Sequence, residues 1–205
     1  MDTVVKRRGT ARVALDLGDA DQGALARYSG RISKLLSLSE VMASPDLAAS
    51  LDDLLGGVYG LVQAIQFGFV DRLERPIQIS AVQKRATQLA AGNVRTDGKW
   101  VAGYCFNNAL FRIAAVLHRV LKIVTGERRY VPVLIPEAQR LYPHWRCEKL
   151  NVVHSQVNDL KHTPLGAYEQ RSASFADAIA SVDELLQLLE FHLVPSTRAT
   201  DQPTQ

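Results

Sequence analysis

Residues 144–163 carry the side chains whose types and spacing could do chemistry in this chain. At the spacing of an α-helix, one side of the segment holds amides, imidazoles and a hydroxyl: Asn151, His154, Ser155, Asn158 and His162. An ordinary solvated face is filled with Lys and Glu, because these side chains cost little free energy in water. Amides and imidazoles are better suited to holding a ligand by hydrogen bonds. The row therefore predicts a site on this segment.

Neither a metal centre nor a nucleophilic catalyst is predicted from these residues. His154 and His162 are eight residues apart, which on a helix is about 12 Å and too far for one ion. The sequence has no HExxH or ExxH motif, so we expect no metal and no cofactor. Ser155 adjoins His154 in the wrong direction for a hydrogen bond between their side chains. Cys147 has no evident base and is interpreted, like Cys105, as a buried thiol inside a helix.

General acid–base chemistry by His162 fits the pattern better. The residue is predicted to end its helix, where the negative end of the helix dipole favours a protonated imidazole, although Lys161 beside it opposes that effect. With Asn158 one turn earlier, the imidazole could act on a 2′-hydroxyl or a phosphoester leaving group. The alternative is a protonated His that only caps the last carbonyl groups. Both interpretations stay open.

The run Val157-Asn158-Asp159-Leu160-Lys161-His162, near the end of the penultimate long helix, resembles the motif of the HEPN superfamily (higher eukaryotes and prokaryotes nucleotide-binding). The resemblance implies an all-α fold and a homodimer. It also implies either metal-independent RNA cleavage or the binding of a nucleotide, RNA or partner protein without catalysis. Asn158 and His162 match the motif and are the candidate catalytic residues.

The family's catalytic Arg is replaced here by Val157, which lies on a predicted apolar stripe with Leu150, Val153 and Leu160. Without that cation, charge on a scissile phosphate would need another donor. This departure favours a non-catalytic binding module, with an endoribonuclease that uses His162 across a homodimer groove as the alternative. The remaining candidate binding residues are Asn151, His154, Lys161, Arg112 and Arg146.

Helical periodicity recurs along most of the chain and predicts an all-α, single-domain bundle of five or more helices. The resemblance implies that this bundle is HEPN-like in architecture. Ser44-Pro45 is a helix start, Gly126 is a stop, and the last helix starts near Ser172 or Ser174. The most apolar helix, 99–124, is expected at the centre. A shorter amphipathic segment is expected over 80–91. Residues 127–136 are expected to form an extended connection, because two prolines interrupt a β-like run.

Single residues in the apolar helices carry further expectations. The glycines within 56–68 should mark the close approach of a neighbouring backbone or a kink. His118 is interpreted as a satisfied core histidine. Asn107 and Asn108 should have hydrogen-bond partners, because an unpaired buried amide costs about 1–3 kcal/mol. Trp100, Tyr104 and Trp145 are assigned to the core or an interface.

The composition is that of a globular protein. Of 205 residues, 47% are apolar and 22% charged, and the net charge of +3 permits contact with nucleic acid without demanding it. Two cysteines outside any CxxC pair, no apolar run behind the basic N-terminus and no stretch of ~20 apolar residues predict a cytoplasmic protein without membrane contact. We expect a flexible basic arm over 1–19, the helical domain over 20–194 and a disordered tail over 195–205.

Overall fold

The computed structural model describes residues 18–66, 98–162 and 173–194, and these ranges contain helices and no strand. The seven helices described are α1 (Gly18–Leu36), α2 (Ser39–Met42), α3 (Pro45–Gln66), α4 (Gly98–Thr125), α5 (Val131–Leu141), α6 (Glu148–His162) and α7 (Phe175–Leu193). The predicted all-α helical bundle is confirmed. The segments expected as arm, amphipathic helix 80–91 and tail lie outside the described residues, except that α1 already begins at Gly18.

Helix α4 lies at the centre of the bundle, as predicted. It packs against α3, α5, α6 and α7, and its side chains Phe106, Leu110, Ile113 and Leu117 are fully buried. Gly126 follows the helix with φ of +71°, the left-handed conformation that ends helices at little cost only for glycine. The expected stop at this residue is therefore confirmed.

Helices α3 and α4 pack closely together, and the glycines of α3 make this possible. A Cβ atom on Gly60 would lie 3.1 Å from the Ala109 Cβ and 3.2 Å from the Cys105 carbonyl oxygen. The expected close approach of a neighbouring backbone is thus confirmed. Helix α3 begins at Pro45, as predicted, and the Ser44 hydroxyl accepts a hydrogen bond from the Leu47 N–H at 3.4 Å.

The expectation of an extended connection over 127–136 is wrong, because α5 begins at Val131. Pro132 lies in the first turn, where its missing N–H has no partner to lose. Pro136 does remove one hydrogen bond from the helix interior, but packing compensates for it. The residues of α5 that are buried recur at helical spacing: Val131, Leu134, Ile135 and Ala138.

Helices α6 and α7 are joined through Glu184. Helix α6 begins at Glu148, after a turn that leaves Cys147 outside it, so only Cys105 lies within a helix as expected. The Glu184 carboxylate on α7 accepts hydrogen bonds from the backbone N–H groups of Lys149 at 3.0 Å and Leu150 at 2.8 Å. The first turn of a helix has no internal acceptors for these groups, so Glu184 caps α6 from another element. The Glu184 carbonyl oxygen also accepts a hydrogen bond from the buried Trp145 indole at 2.8 Å.

The ends of α7 are fixed locally and by α1. Ser174 caps the start of α7 in a reciprocal hydrogen-bonded pair with Asp177, which confirms the predicted start. The Arg31 guanidinium on α1 donates to both carboxylate oxygens of Glu190 at 2.8 Å and also pairs with Asp183. No helix in the described ranges is both long and apolar enough to cross a membrane.

Candidate functional site: the outer face of helix α6

Helix α6 has the two faces that its sequence predicts. Leu150, Val153 and Val157 are buried at 0–2% exposure and Leu160 is partly buried, so the apolar stripe faces the core. Asn151 and Asn158 are exposed on the outer face. His162 is the last residue of the helix, and its side chain lies outside the described part of the chain. We call Asn151, Ser155, Asn158 and Lys161, all exposed, the α6 outer face.

His154 lies at the edge of this face, half-buried beside α4. Burial lowers the pKa of His154 below its ordinary value, and the charges of Lys161 and His118 add to that effect. His118 belongs to α4 and is itself half-buried, with Nε2 3.1 Å from the Arg129 carbonyl oxygen. The His118 ring therefore has a hydrogen-bond partner, as expected, although it lies at the edge of the core and not inside it. His118 of α4 and Lys161 of α6 are therefore close enough to His154 for their charges to act on its imidazole.

The sequence places no opposing carboxylate on the α4 side of this contact. Residues 98–125 contain no Asp or Glu. They contain five basic residues, namely Lys99, Arg112, His118, Arg119 and Lys122. A ligand that meets α4 beside His118 therefore meets neutral or positive groups on that helix. Two of these side chains, Arg112 and Arg119, pair with Asp53 of α3, so the positive charge of α4 is partly compensated.

Arg112 is not brought to the α6 outer face. Its guanidinium lies over α3, where Nη1 is 3.1 Å from Asp53 Oδ1 and occupies the space beside Gly56. Arg119, one heptad later, pairs with the other oxygen of Asp53. Both arginines thus stabilise the contact between α3 and α4. Arg146 is exposed in the turn that precedes α6.

The two thiols are not poised as nucleophiles. Burial, with the nearby charge of Glu184, raises the pKa of Cys147, although Asn151 donates a hydrogen bond to its Sγ at 3.7 Å. Gln139 donates to the same sulfur at 3.4 Å. Burial also raises the pKa of Cys105. Protonated thiols are poor nucleophiles, so these side chains are packing groups.

Several expectations about polar and aromatic residues have mixed outcomes. Asn107 is buried, yet its Oδ1 accepts no hydrogen bond from the described residues, contrary to expectation. Asn108 is exposed and needs no protein partner. Trp145 is buried in the core, whereas Tyr104 is 75% exposed and does not line the core of the bundle.

No group of three metal-ligating side chains is found within the described ranges.

Sequence reasoning missed the cap by Glu184 and the proximity of His118 to His154. The sequence does contain a signal for the cap by Glu184. Asp183 and Glu184 interrupt an otherwise apolar run in α7, and acidic groups at such positions need partners. The proximity of His118 to His154 depends on how α4 and α6 cross, which local spacing does not specify.

Comparisons of the chain with protein-family models, curated proteins and solved structures found no match.

Proposed function

We propose that the chain is a HEPN-like, non-catalytic binding module that holds a nucleotide, free or within an RNA strand, on the α6 outer face. The observation that carries this proposal is the exposed row of Asn151, Ser155 and Asn158, spaced four and three residues apart along one side of the helix. Such a row offers hydrogen-bond donors and acceptors without fixed charge. These groups match the base edges and ribose hydroxyls of RNA.

Cations beside the row can contact phosphate. Lys161 is exposed in the last turn of α6, and Arg146 is exposed just before the first turn. Lysine contributes a point charge, and arginine contributes a planar fork that matches two phosphate oxygens. The two side chains lie at opposite ends of α6, so they suit a ligand that extends along the helix.

Binding without cleavage is favoured by where the other cations lie. Val157 occupies the position of the family's Arg and is 2% exposed in the core. Arg112 and Arg119 pair with Asp53. Lys149 donates to Asp177 at 2.7 Å, and this hydrogen bond raises the pKa of Lys149. Cleavage needs a donor aimed at the charge that develops on the phosphate, and these groups have other partners.

A metal-independent endoribonuclease is the second candidate. It is favoured by the end of α6 at His162, which places that residue one turn after the exposed Asn158 and in the last turn of the helix. In this candidate His162 is the general acid or base, Asn158 orients it or the phosphate, and two copies of the chain supply the groove. Arg146 would then supply the stabilising charge.

Fluorescence anisotropy with a labelled single-stranded RNA oligonucleotide in the presence of a chelator tests both candidates. For the binding module we expect the RNA to bind and to remain intact. Asn158→Ala and Lys161→Ala should each weaken binding. Asn108→Ala on α4 and Lys34→Ala on α1 are matched controls, because they remove an exposed amide and an exposed lysine elsewhere.

Three outcomes decide between the candidates. Absence of RNA binding by the wild-type chain, or equal losses in the control variants, contradicts the binding module. RNA cleavage that survives the chelator and disappears in His162→Ala supports the endoribonuclease. Size-exclusion chromatography with light scattering then reports whether the cleaving species is the homodimer that this candidate requires.

A further inference from the structure

One side of helix α4 carries aromatic rings at intervals of seven residues: Tyr104, Phe111 and His118. Residues seven apart lie on the same side of a helix, about 10.5 Å from each other along its axis. Tyr104 is 75% exposed and Phe111 is 37% exposed, whereas His118 is half-buried. We call these three residues the α4 aromatic row.

No charged side chain interrupts the α4 aromatic row. The residues that lie between its rings on the helix surface, three or four positions from each, are Asn108 and Ala115, and both are exposed. An ordinary solvated side of a helix would carry Lys and Glu at such positions. Exposed rings in an uncharged setting are typical of an interaction site.

The row borders the α6 outer face. Helix α4 packs against α6, and His118 is close enough to His154 for its charge to act on that imidazole. The axes of packed helices are about 8–10 Å apart. One extended ligand can therefore contact the rings of α4 and the amides of α6 together.

Two lysines flank this surface. Lys122 lies four residues after His118 on the same side of α4, and Lys161 is exposed on α6. Neither lysine forms an ion pair with another residue in the described part of the chain. Helix α4 contains no acidic residue, and the two acidic residues of α6 lie about 120–140° around that helix from His154.

We propose that the α4 aromatic row is a stacking platform for the bases of a single-stranded RNA held on the α6 outer face. Tyr104 and Phe111 each stack on a base, and Lys122 and Lys161 pair with phosphates. Aromatic rings for the bases combined with cations for the backbone are the means by which proteins bind single strands.

This inference rests on the proposed function and narrows its ligand. The rings of Tyr104 and Phe111 are separated by about two turns of helix, or 10.5 Å along the axis. The single base of a free nucleotide cannot stack on both rings, whereas two bases of one strand can. The spacing therefore favours a strand of RNA over a free nucleotide.

Charge and exposure favour RNA over a second copy of the chain. A contact between two copies through this side would bring the lysines of two α4 helices together, and α4 has no carboxylate to separate them. The 75% exposure of Tyr104 also leaves most of its surface free for a planar base.

The test uses the full chain and a labelled RNA of mixed sequence, about ten nucleotides long, followed by fluorescence anisotropy. We expect Tyr104→Ala and Phe111→Ala each to weaken binding by about fivefold or more. Tyr104→Phe keeps the ring and should bind like the wild type. Tyr104→Leu keeps an apolar side chain without a ring and should bind as weakly as Tyr104→Ala, which separates stacking from apolar packing.

Matched variants control for the loss of an exposed side chain. Tyr130→Ala and Tyr59→Ala remove tyrosines that are 81% and 61% exposed on other elements, and Asn108→Ala leaves both rings in place. None of the three should change RNA binding. Thermal melting followed by circular dichroism checks the fold, and Tyr104→Ala still tests the row if Phe111→Ala unfolds, because Tyr104 is the more exposed ring.

Failure of the inference and failure of the proposed function give different results. RNA binding that is weakened by Asn158→Ala but not by the ring variants overturns the stacking platform and leaves the α6 site standing. Absence of RNA binding by the wild-type chain overturns both. Binding that depends on the rings but not on Asn158 or Lys161 supports the platform and contradicts the α6 site.

Two further results would overturn the platform. Adenosine monophosphate that competes as well as an unlabelled RNA of the same length would show that one base fills the site. Size-exclusion chromatography with light scattering would assign the row to a contact between copies if the ring variants dissociate a dimer and leave RNA binding unchanged.

Discussion

The Glu184 carboxylate accepts a hydrogen bond from the backbone N–H of Leu150 at 2.8 Å, so an acidic side chain of α7 caps the start of α6. A second bond at 3.0 Å comes from Lys149. Since α6 carries the candidate site, the position of that site depends on this cap.

We expect Glu184→Ala to lower the free energy of unfolding by about 1–2 kcal/mol, because a helix cap is typically worth this much. Glu184→Gln keeps an acceptor oxygen and should lose less. Urea denaturation measures both variants. Glu137→Ala is the matched control, since it removes a partly exposed glutamate that pairs at the surface with Arg140. An equal, small loss in Glu184→Ala and Glu137→Ala would show that the cap contributes little.

Gly60→Ala should destabilise the protein, and Gly30→Ala should stabilise it. Alanine is favoured over glycine by about 0.8–1 kcal/mol inside a helix. At Gly30 on α1 nothing lies within 4 Å of the added Cβ, so this gain is realised. At Gly60 the added Cβ meets Ala109 at 3.1 Å and the Cys105 carbonyl at 3.2 Å, and overpacking of this kind costs about 1–3 kcal/mol.

Thermal unfolding of the two glycine variants shows directly whether each substitution raises or lowers the stability of the protein. Adding Ala109→Gly to Gly60→Ala should recover part of the loss, because it removes one of the two contacting atoms while leaving the carbonyl. A Gly60→Ala variant as stable as Gly30→Ala would contradict the close contact between α3 and α4.

The protein should lose stability as the pH falls below about 6.5, the ordinary value for an unfolded imidazole. Burial lowers the pKa of His192, and burial with Lys161 and His118 lowers the pKa of His154. The unfolded chain therefore binds more protons than the folded chain at mildly acidic pH, and unfolding is favoured. The loss is complete once the pH lies below the lower folded-state values.

Free energies of unfolding at a series of pH values between about 8 and 5 test this dependence. The double variant His154→Gln and His192→Gln should show a flatter pH profile than the wild type across the histidine range. His144→Gln removes an exposed imidazole and serves as the control. A double variant whose profile keeps the wild-type slope would assign the acid sensitivity to other groups.

Arg31→Lys should lower the free energy of unfolding although it keeps the charge. The Arg31 guanidinium donates to two oxygens of Glu190, a geometry that a lysine ammonium does not reproduce. A hydrogen bond to a charged group contributes about 1.5–3 kcal/mol, and we expect a loss of that order in chemical denaturation. Arg27→Lys on the same helix, where the side chain is exposed, should leave stability unchanged.

Local sequence signals predicted the elements whose ends are set by their own residues. Ser44-Pro45 and Gly126 mark where α3 starts and α4 stops, and Val153 and Val157 lie in the core as their spacing predicts. In these cases the determining groups are close in sequence to the structure that they determine.

Contacts between distant residues account for most of what was missed. Helix α5 forms in spite of Pro136 because its buried side chains pack on α4, and no local rule weighs that packing against a lost hydrogen bond. Arg112 is drawn to Asp53 on α3, 59 residues earlier, so its presence in the sequence did not place it at the site. For the candidate site, spacing predicted which residues of α6 share a face, whereas the approach of His118 required the three-dimensional arrangement.

The ion pairs of Arg31 have a consequence for how the chain is made. Its acceptors on Asp183 and Glu190 come 152 and 159 residues later, close to the end of the last helix. At a translation speed of about 5–20 residues per second, these carboxylates leave the ribosome roughly 8–32 seconds after the arginine. During that interval α1 lacks its charged partners, so a nascent chain interrupted before residue 190 would carry an incompletely docked first helix.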